Sequence, residues 1–360
     1  MKRSSIMGGV ALFTAILLAA CGGSSGSSGD AGAKGEKGKL AIFNWEAYFP
    51  EDVIASFEEE FNCSVTYNVF LSNEEMYQKL AAGNSGYDVA FPGADYASIM
   101  KTNGIIEKLD KAKLPNLENI DPAISAKKTF DPTNEWAVPY FFGRAGIMVN
   151  LEKVPAADRA LGWGIFGKAA YKGKLTLLDD PREVLGAALV ELGYSCNSTK
   201  ESEINEAAEL VKKWKANIKN FDSGTFQDGF LDGSLYAVHC FAENVWLAAS
   251  ENQADNELYA DKYAYILPAK GFSYMDTMVI LKESMNKDLA YEFINYVHRP
   301  DINAKIADFN RLPSIHKGGS GKEIRTPNYK LEDVLAVELK EDVGDALDLY
   351  SKAWEAIRTE

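Results

Sequence analysis

The chain has 360 residues, with 38 basic side chains against 52 acidic ones, a formal charge of −14 and 46% hydrophobic residues. So acidic a chain lacks the basic surface that a phosphate backbone requires, which excludes a nucleic-acid partner. Its length is enough for two domains of ordinary size.

In chain order, Lys2 and Arg3 precede an apolar run at about 6–18, which ends in Leu18-Ala19-Ala20-Cys21. A basic start, a short apolar segment and small residues before a cysteine read as a lipoprotein signal; the run is too short and wrongly flanked to span a bilayer. Residues 1–20 are expected to be removed, with Cys21 as the lipid attachment point. Loss of Lys2 and Arg3 takes the formal charge from −14 to −16. Residues 21–39 are rich in Gly and Ser, contain no large apolar residue and read as a flexible tether.

Folded structure is expected from about Leu40. Leu40–Trp45 reads as an apolar strand, and Glu51–Phe61 puts Val53, Ile54, Phe57 and Phe61 on one helical face. Ser64–Phe70 alternates like a strand. Ser72 and Glu75 have the spacing of a capping box, opening a helix through Ala81. Tyr87–Pro92 is the next strand and Asp95–Met100 a short helix. This rhythm predicts a parallel α/β sheet. The second half continues with a strand at Lys174–Leu178 and helices at Pro181–Leu192 and Lys200–Lys215. Strands follow at Leu235–Phe241, Tyr263–Leu267 and Met275–Leu281, then helices at Lys287–Val297 and Val343–Arg358.

Several chemistries are poorly supported. Gly162–Ala169 contains a G-x-G-x-x-G pattern and falls one residue short of a phosphate-binding loop. Ala169 lacks the hydroxyl that such a loop uses on magnesium, and no aliphatic strand precedes it. The histidines, His239, His298 and His316, are not spaced for a metal, and no G-x-S-x-G elbow occurs. No cofactor is expected. With Cys21 reserved for lipid, Cys63, Cys196 and Cys240 are odd in number; they read as buried thiols rather than a disulfide framework.

What remains is a set of aromatics and carboxylates close to strand ends, where open α/β sheets bind ligands. It comprises Asn44–Tyr48, Asp95-Tyr96, Asp179–Glu183, Phe241–Asn244 and Tyr274–Asp276. Aromatic faces with carboxylates suit an organic ammonium. Each member also has a local explanation. Asp180 and Glu183 have capping-box spacing with Pro181 at the first helical position, Glu243 and Asn244 read as a helix start, and Trp45 and Asp276 fit core and capping roles.

Together these residues resemble the periplasmic spermidine/putrescine-binding proteins of ABC importers, from about Leu40 to Arg358. The markers are Phe43-Asn44-Trp45-x-x-Tyr48, Ser72-Asn73-Glu74-x-Met76-Tyr77, Tyr87-Asp88-Val89, Leu109-Asp110-Lys111-x-Lys113-Leu114, Leu178-Asp179-Asp180-x-Arg182-Glu183-Val184, Tyr274-Met275-Asp276 and Arg299-Pro300-Asp301. The resemblance implies a two-lobed α/β periplasmic-binding-protein fold with hinge strands and a ligand cleft between the lobes. Residues 40–143 with 275–313 would form one lobe, and 144–274 with 314–360 the other. Trp45 and Tyr48 match the family's aromatic contacts; Asp180, Glu183 and Asp276 match its amine-binding carboxylates.

Departures are visible. A family serine is Gly93 here, a tyrosine contact is Asp95, and tryptophans are replaced by Phe241 and Tyr274. A glutamine is replaced by Lys340, which would repel an ammonium if it pointed inward, and Arg144 sits in the hinge region. The resulting expectation is a non-enzymatic, monomeric lipoprotein, anchored outside the cytoplasm through Cys21, that passes a polyamine to a permease in the cytoplasmic membrane. The alternatives are a receptor for another solute, such as an anion held by Arg144 and Lys340, a surface adhesin, and an extracellular hydrolase using paired carboxylates.

Overall fold

Alternation along β1 (Gly38–Trp45) decides which face each side chain takes. Leu40 and Ile42 pack into one core, while Phe43 on the opposite face packs with Phe70, Met76 and Tyr96. The computed structural model describes residues 38–46, 48–243, 262–319, 321–323 and 327–359. The lipoprotein signal, Cys21 and the tether up to residue 37 lie outside these residues, as does Asn244. Strand structure begins at Gly38, slightly before the expected start.

The first sheet contains β1, β2 (Cys63–Phe70), β3 (Val89–Ala90), β4 (Val138–Gly143), β10 (Phe272–Ile280) and β11 (Glu338–Leu339), in the order β11-β10-β3-β1-β2 with β4 also paired to β10. β1 runs parallel to β2 and β3, but β10 is antiparallel to both β3 and β4. The expected parallel sheet is therefore mixed. The chain leaves after β4, builds a second sheet and returns as β10 in the opposite direction, without the helical crossover that parallel pairing needs.

The second sheet has the order β7-β6-β8-β5-β9, from β5 (Gly146–Asn150), β6 (Leu175–Leu177), β7 (Ile218–Phe221), β8 (Ala237–Cys240) and β9 (Tyr263–Ile266). It too is mixed: β6 is parallel to β7 and β8, and β5 is antiparallel to β8 and β9.

Helices cover these sheets because their apolar stripes match. Helix Glu51–Glu60 buries Val53 and Phe57 against helix Lys287–Val297 through Phe293 and Tyr296. Helix Pro181–Leu192 is apolar nearly all round, since helices Glu201–Lys215 and Leu347–Thr359 pack on it in the second core. It starts with Asp180 accepting the Glu183 N–H at 2.9 Å and Pro181 in the first turn, and stops at left-handed Gly193. Residues 162–167 form a 3-10 helix with Trp163 and Phe166 buried, so the glycine pattern there is core packing. Cys63, Cys196 and Cys240 are buried and not disulfide-bonded, as expected.

β10 joins both cores. Its first residue, Phe272, lies in the second core, while Met275, Met278 and Ile280 lie in the first. A Cβ at Gly186 would sit 2.9 Å from the Phe272 ring, so glycine there admits the strand. Among the described residues, no helix is long and apolar enough to cross a membrane.

Candidate functional site

Asp276 lies mid-strand on β10, and its position is fixed from both sides. Its backbone pairs with Phe141 of β4 on one edge and bridges Gly93 on the other. The next residue, Thr277, donates its N–H and its hydroxyl to the Pro92 carbonyl, at 2.9 and 3.0 Å. The register with β4 shifts between Asp276 and Thr277, a bulge of the kind that re-aims a side chain.

That side chain faces a cleft of about 520 Å³, within the roughly 300–1,000 Å³ range of small-molecule sites. The cleft takes Trp45, the last residue of β1, and Tyr48 just after it, with Gly93 and Asp95 from the segment after β3. The loop after β6 gives Asp179 and Asp180, the end of β8 gives Phe241 and Glu243, and β10 gives Tyr274 and Asp276. Seven sequence-predicted site residues, Trp45, Tyr48, Asp95, Asp180, Phe241, Tyr274 and Asp276, thus line one space.

The aromatic walls are pinned. Trp45 donates its indole N–H to the Phe91 carbonyl at 2.9 Å and packs at 4.5 Å on Phe70. Phe241 meets Tyr274 edge-on at 5.0 Å. Tyr48 and Tyr274 turn their hydroxyls to acids: Tyr48 donates to Asp276 at 3.0 Å, and Tyr274 lies 3.1 Å from each oxygen of Glu243.

Eight carboxylates line the cleft, those named above together with Glu46, Glu74 and Asp228. Among the described lining residues, the single cation is Lys340. Burial pushes the Asp276 carboxyl up to about 8, with the charge of Glu243 adding to the effect. Burial likewise pushes Glu243 up to about 7. Two desolvated acids with raised pKa values thus face one cleft, where a nearby cation would favour their ionised forms.

Glu183 requires a correction. It does not line the cleft and is fully buried, with Lys340 donating to its Oε1 at 2.5 Å. Nor does it complete a capping box, because its carboxylate turns to Lys340 instead of back to the helix start. Burial raises the Glu183 carboxyl and the ammonium pulls it back. Lys340 does point inward, but it arrives paired. Arg144 stays out of the cleft, giving its guanidinium to the carbonyls of Pro268 at 2.7 Å and Asp333 at 3.2 Å. The anion reading loses that residue.

Glu243 belongs to the Phe241–Asn244 cluster of the sequence, where it reads as a helix start and is not among the expected ligand contacts. Ala242 and Glu243 are helical, but the carboxylate is 2% exposed and faces the cleft. A glutamate directly after a buried strand, beside an aromatic, was the available signal. Glu74 was visible only inside a family marker; it accepts from the Tyr96 hydroxyl at 2.9 Å.

Residues 52–325 match the family model described as bacterial extracellular solute-binding protein. The chain belongs to that family. This solute-binding protein is 31% identical over 327 residues to the spermidine/putrescine-binding periplasmic protein of Salmonella typhimurium, covering 89% of this chain and 91% of the relative. It is 35% identical over 266 residues to a putrescine/cadaverine-binding protein of Pseudomonas aeruginosa, covering 72% and 74%. Among solved structures it is similar to the TpPotD lipoprotein of Treponema pallidum, at TM-score 0.84 and 37% identity, covering 89% of this chain and 100% of the other. A putative spermidine/putrescine ABC transporter protein from Listeria monocytogenes superposes at TM-score 0.77 and 27% identity, covering 90% and 99%. The fold is the α/β periplasmic-binding-protein type. The family consists of extracellular or periplasmic solute-binding proteins, not enzymes, so the hydrolase reading falls away.

Proposed function

We propose that this solute-binding protein captures a linear polyamine of the spermidine/putrescine class and passes it to an ABC permease in the cytoplasmic membrane. One observation carries the reading: Asp276 and Glu243 are buried together at the cleft beside Trp45, Tyr48, Phe241 and Tyr274. An ammonium satisfies such acids, while methylenes lie on the rings. Relatives named for binding spermidine, putrescine or cadaverine support the same class.

In this reading Trp45, Tyr48, Asp95, Asp180, Phe241, Tyr274 and Asp276, with Glu243 added, contact the ligand. Residues 40–143 with 275–313 form one lobe, 144–274 with 314–360 the other, and binding closes them by a hinge. The protein acts as a monomer held to the membrane by lipid on Cys21. Isothermal titration of the soluble form with spermidine and with putrescine tests the ligand class. Heat and saturation with either amine are expected; silence toward both, with binding of a sugar or an anion, overturns the proposal.

A further inference from the structure

The chain passes from the first sheet to the second at Arg144 and Ala145, between the end of β4 at Gly143 and the start of β5 at Gly146. Arg144 is held there from several sides. Its guanidinium donates to the carbonyl of Pro268, where the chain heads back from β9 to β10, and to that of Asp333 in helix Leu331–Leu335. Its own carbonyl accepts from the Tyr265 hydroxyl at 3.0 Å, which also lies 2.9 Å from the Cys240 carbonyl. Its N–H donates to the Tyr329 hydroxyl at 3.1 Å.

Tyr329 is buried and does not line the cleft. Its hydroxyl is hydrogen-bonded to that of Tyr274, and both crowd Gly143, where a Cβ would lie 2.6 Å from each oxygen. Tyr274 in turn sits 3.1 Å from both oxygens of Glu243. The order of donors follows from chemistry. An amide N–H only donates, so Tyr329 accepts from Arg144. An ionised carboxylate only accepts, so Tyr274 gives its one proton to Glu243 and accepts from Tyr329. The Arg144 N–H, Tyr329, Tyr274 and ionised Glu243 then form one line in which every donor points toward the cleft acid. Such a line polarises along its length and strengthens its last bond.

We propose that Tyr329 is a positioning residue for amine binding: through the Tyr274 hydroxyl it ties Glu243 to the Arg144 peptide between the two sheets and favours the ionised carboxylate that an ammonium needs. This rests on the polyamine reading above. Glu243 also faces Asp276, Glu183, Cys240 and the phenols of Tyr48 and Tyr265, and Lys340 lines the same cleft. Removing the Tyr329 hydroxyl leaves those groups in place. Burial pushes Glu243 up to about 7, so the unliganded protein holds that carboxyl protonated at about pH 6 and ionised at about pH 9, whereas a bound ammonium keeps it ionised at both. Support of the carboxylate by Tyr329 therefore adds to binding at the lower pH and cancels at the higher.

The test is titration of putrescine and of spermidine at those two pH values into the parent, Tyr329→Phe, Tyr265→Phe, Glu243→Gln and Glu243→Gln/Tyr329→Phe. Tyr329→Phe should weaken binding by at least roughly fivefold at the lower pH and by much less at the higher. Tyr265→Phe loosens the same peptide outside the line and should change binding equally at both. In the Glu243→Gln background, Tyr329→Phe should bring no pH-dependent loss. Gly143→Ala, whose methyl parts the two hydroxyls, should reproduce the Tyr329→Phe pattern and replaces it should Tyr329→Phe not fold. An equal loss at both pH values, the same pH dependence in Tyr265→Phe, or its persistence without Glu243 overturns the role of Tyr329 while leaving polyamine binding intact. If the folded parent binds neither amine at either pH, the polyamine reading itself fails and this inference with it.

Discussion

The Tyr48 hydroxyl donates to Asp276 Oδ2 at 3.0 Å, joining residues 228 positions apart in the chain. The bond couples the turn after β1 to the centre of β10. It also leaves Asp276 a buried acid with its pKa pushed up to about 8.

Stability of the unliganded protein should therefore depend on Asp276 in a defined direction. An unfolded aspartate titrates near about 3.9, so between roughly pH 4 and pH 8 the folded state holds the extra proton. Asp276 thus stabilises the fold less as pH rises through that window. Glu243, pushed up to about 7, adds in the same sense from about pH 4.3 upward. Asp276→Asn should melt higher relative to the parent at pH 8 than at pH 5. A melting difference that stays constant with pH would show that the carboxyl does not titrate in this range.

The same two acids should report on the ligand. An ammonium favours the ionised carboxylates, so amine binding near pH 7 should release protons. Titrations in phosphate and in Tris, which differ in ionisation enthalpy, should give different apparent heats; equal heats would count against it. Asp276→Asn and Glu243→Gln should each weaken amine binding by at least roughly tenfold, about 1.4 kcal/mol. Full affinity in either variant would remove that acid from the site.

Gly93 is required by Asp95, not by its own backbone. A Cβ there would lie 2.6 Å from Asp95 Oδ1 and 3.1 Å from Asn73 Nδ2. Gly93→Ala should displace the Asp95 carboxylate and weaken amine binding. In an Asp95→Ala background the same change should cost less, with a coupling in the roughly 0.5–3 kcal/mol range of contacting residues. Additive effects would show that the two positions are independent.

Closure should be visible in solution. Small-angle scattering should show a more compact form with saturating putrescine. Trp45, in the cleft wall, should carry a fluorescence change that disappears in Trp45→Phe. An unchanged scattering profile would mean that binding does not move the lobes.

Membrane attachment should follow Cys21. Cys21→Ser should lose lipid and fractionate with soluble protein, since residues 21–39 offer no apolar anchor. A parent chain without lipid on Cys21 would refute the anchor.

How legible the molecule was depends on whether the deciding contacts are local. Helices Pro181–Leu192 and Lys287–Val297 can be read to the residue, because period, Pro181 and Gly193 mark their limits. β4 and β5 escape a local reading, since Val138–Gly143 and Gly146–Val149 are uncharged apolar runs without alternation. Helix Pro300–Asn310 was missed although Pro300 stands in its first turn. The direction of β10 depends on where a strand 120 residues after β5 returns, which no local pattern encodes. Most of the site was legible as aromatics and acids at strand ends. Glu183 and Glu243 exchanged places, the former buried under Lys340 and the latter turned to the cleft by Tyr274. Both outcomes depend on partners distant in sequence.

β10 begins among the side chains of the second core at Phe272 and has entered the first by Met275, with Asp276 the next residue. If the two halves swing about the strands that join them, Asp276 stands beside the fulcrum. Points there barely travel while the rims sweep through the full arc. An amine gripped by Asp276 is thus held at the same place before and after the swing, and the rim residues, Glu46, Glu74 and Asp228 among them, come to it. The charge that admits the ligand and the movement that encloses it are then separate events on one lever, and a variant at the rim can slow release without altering which solutes are first accepted.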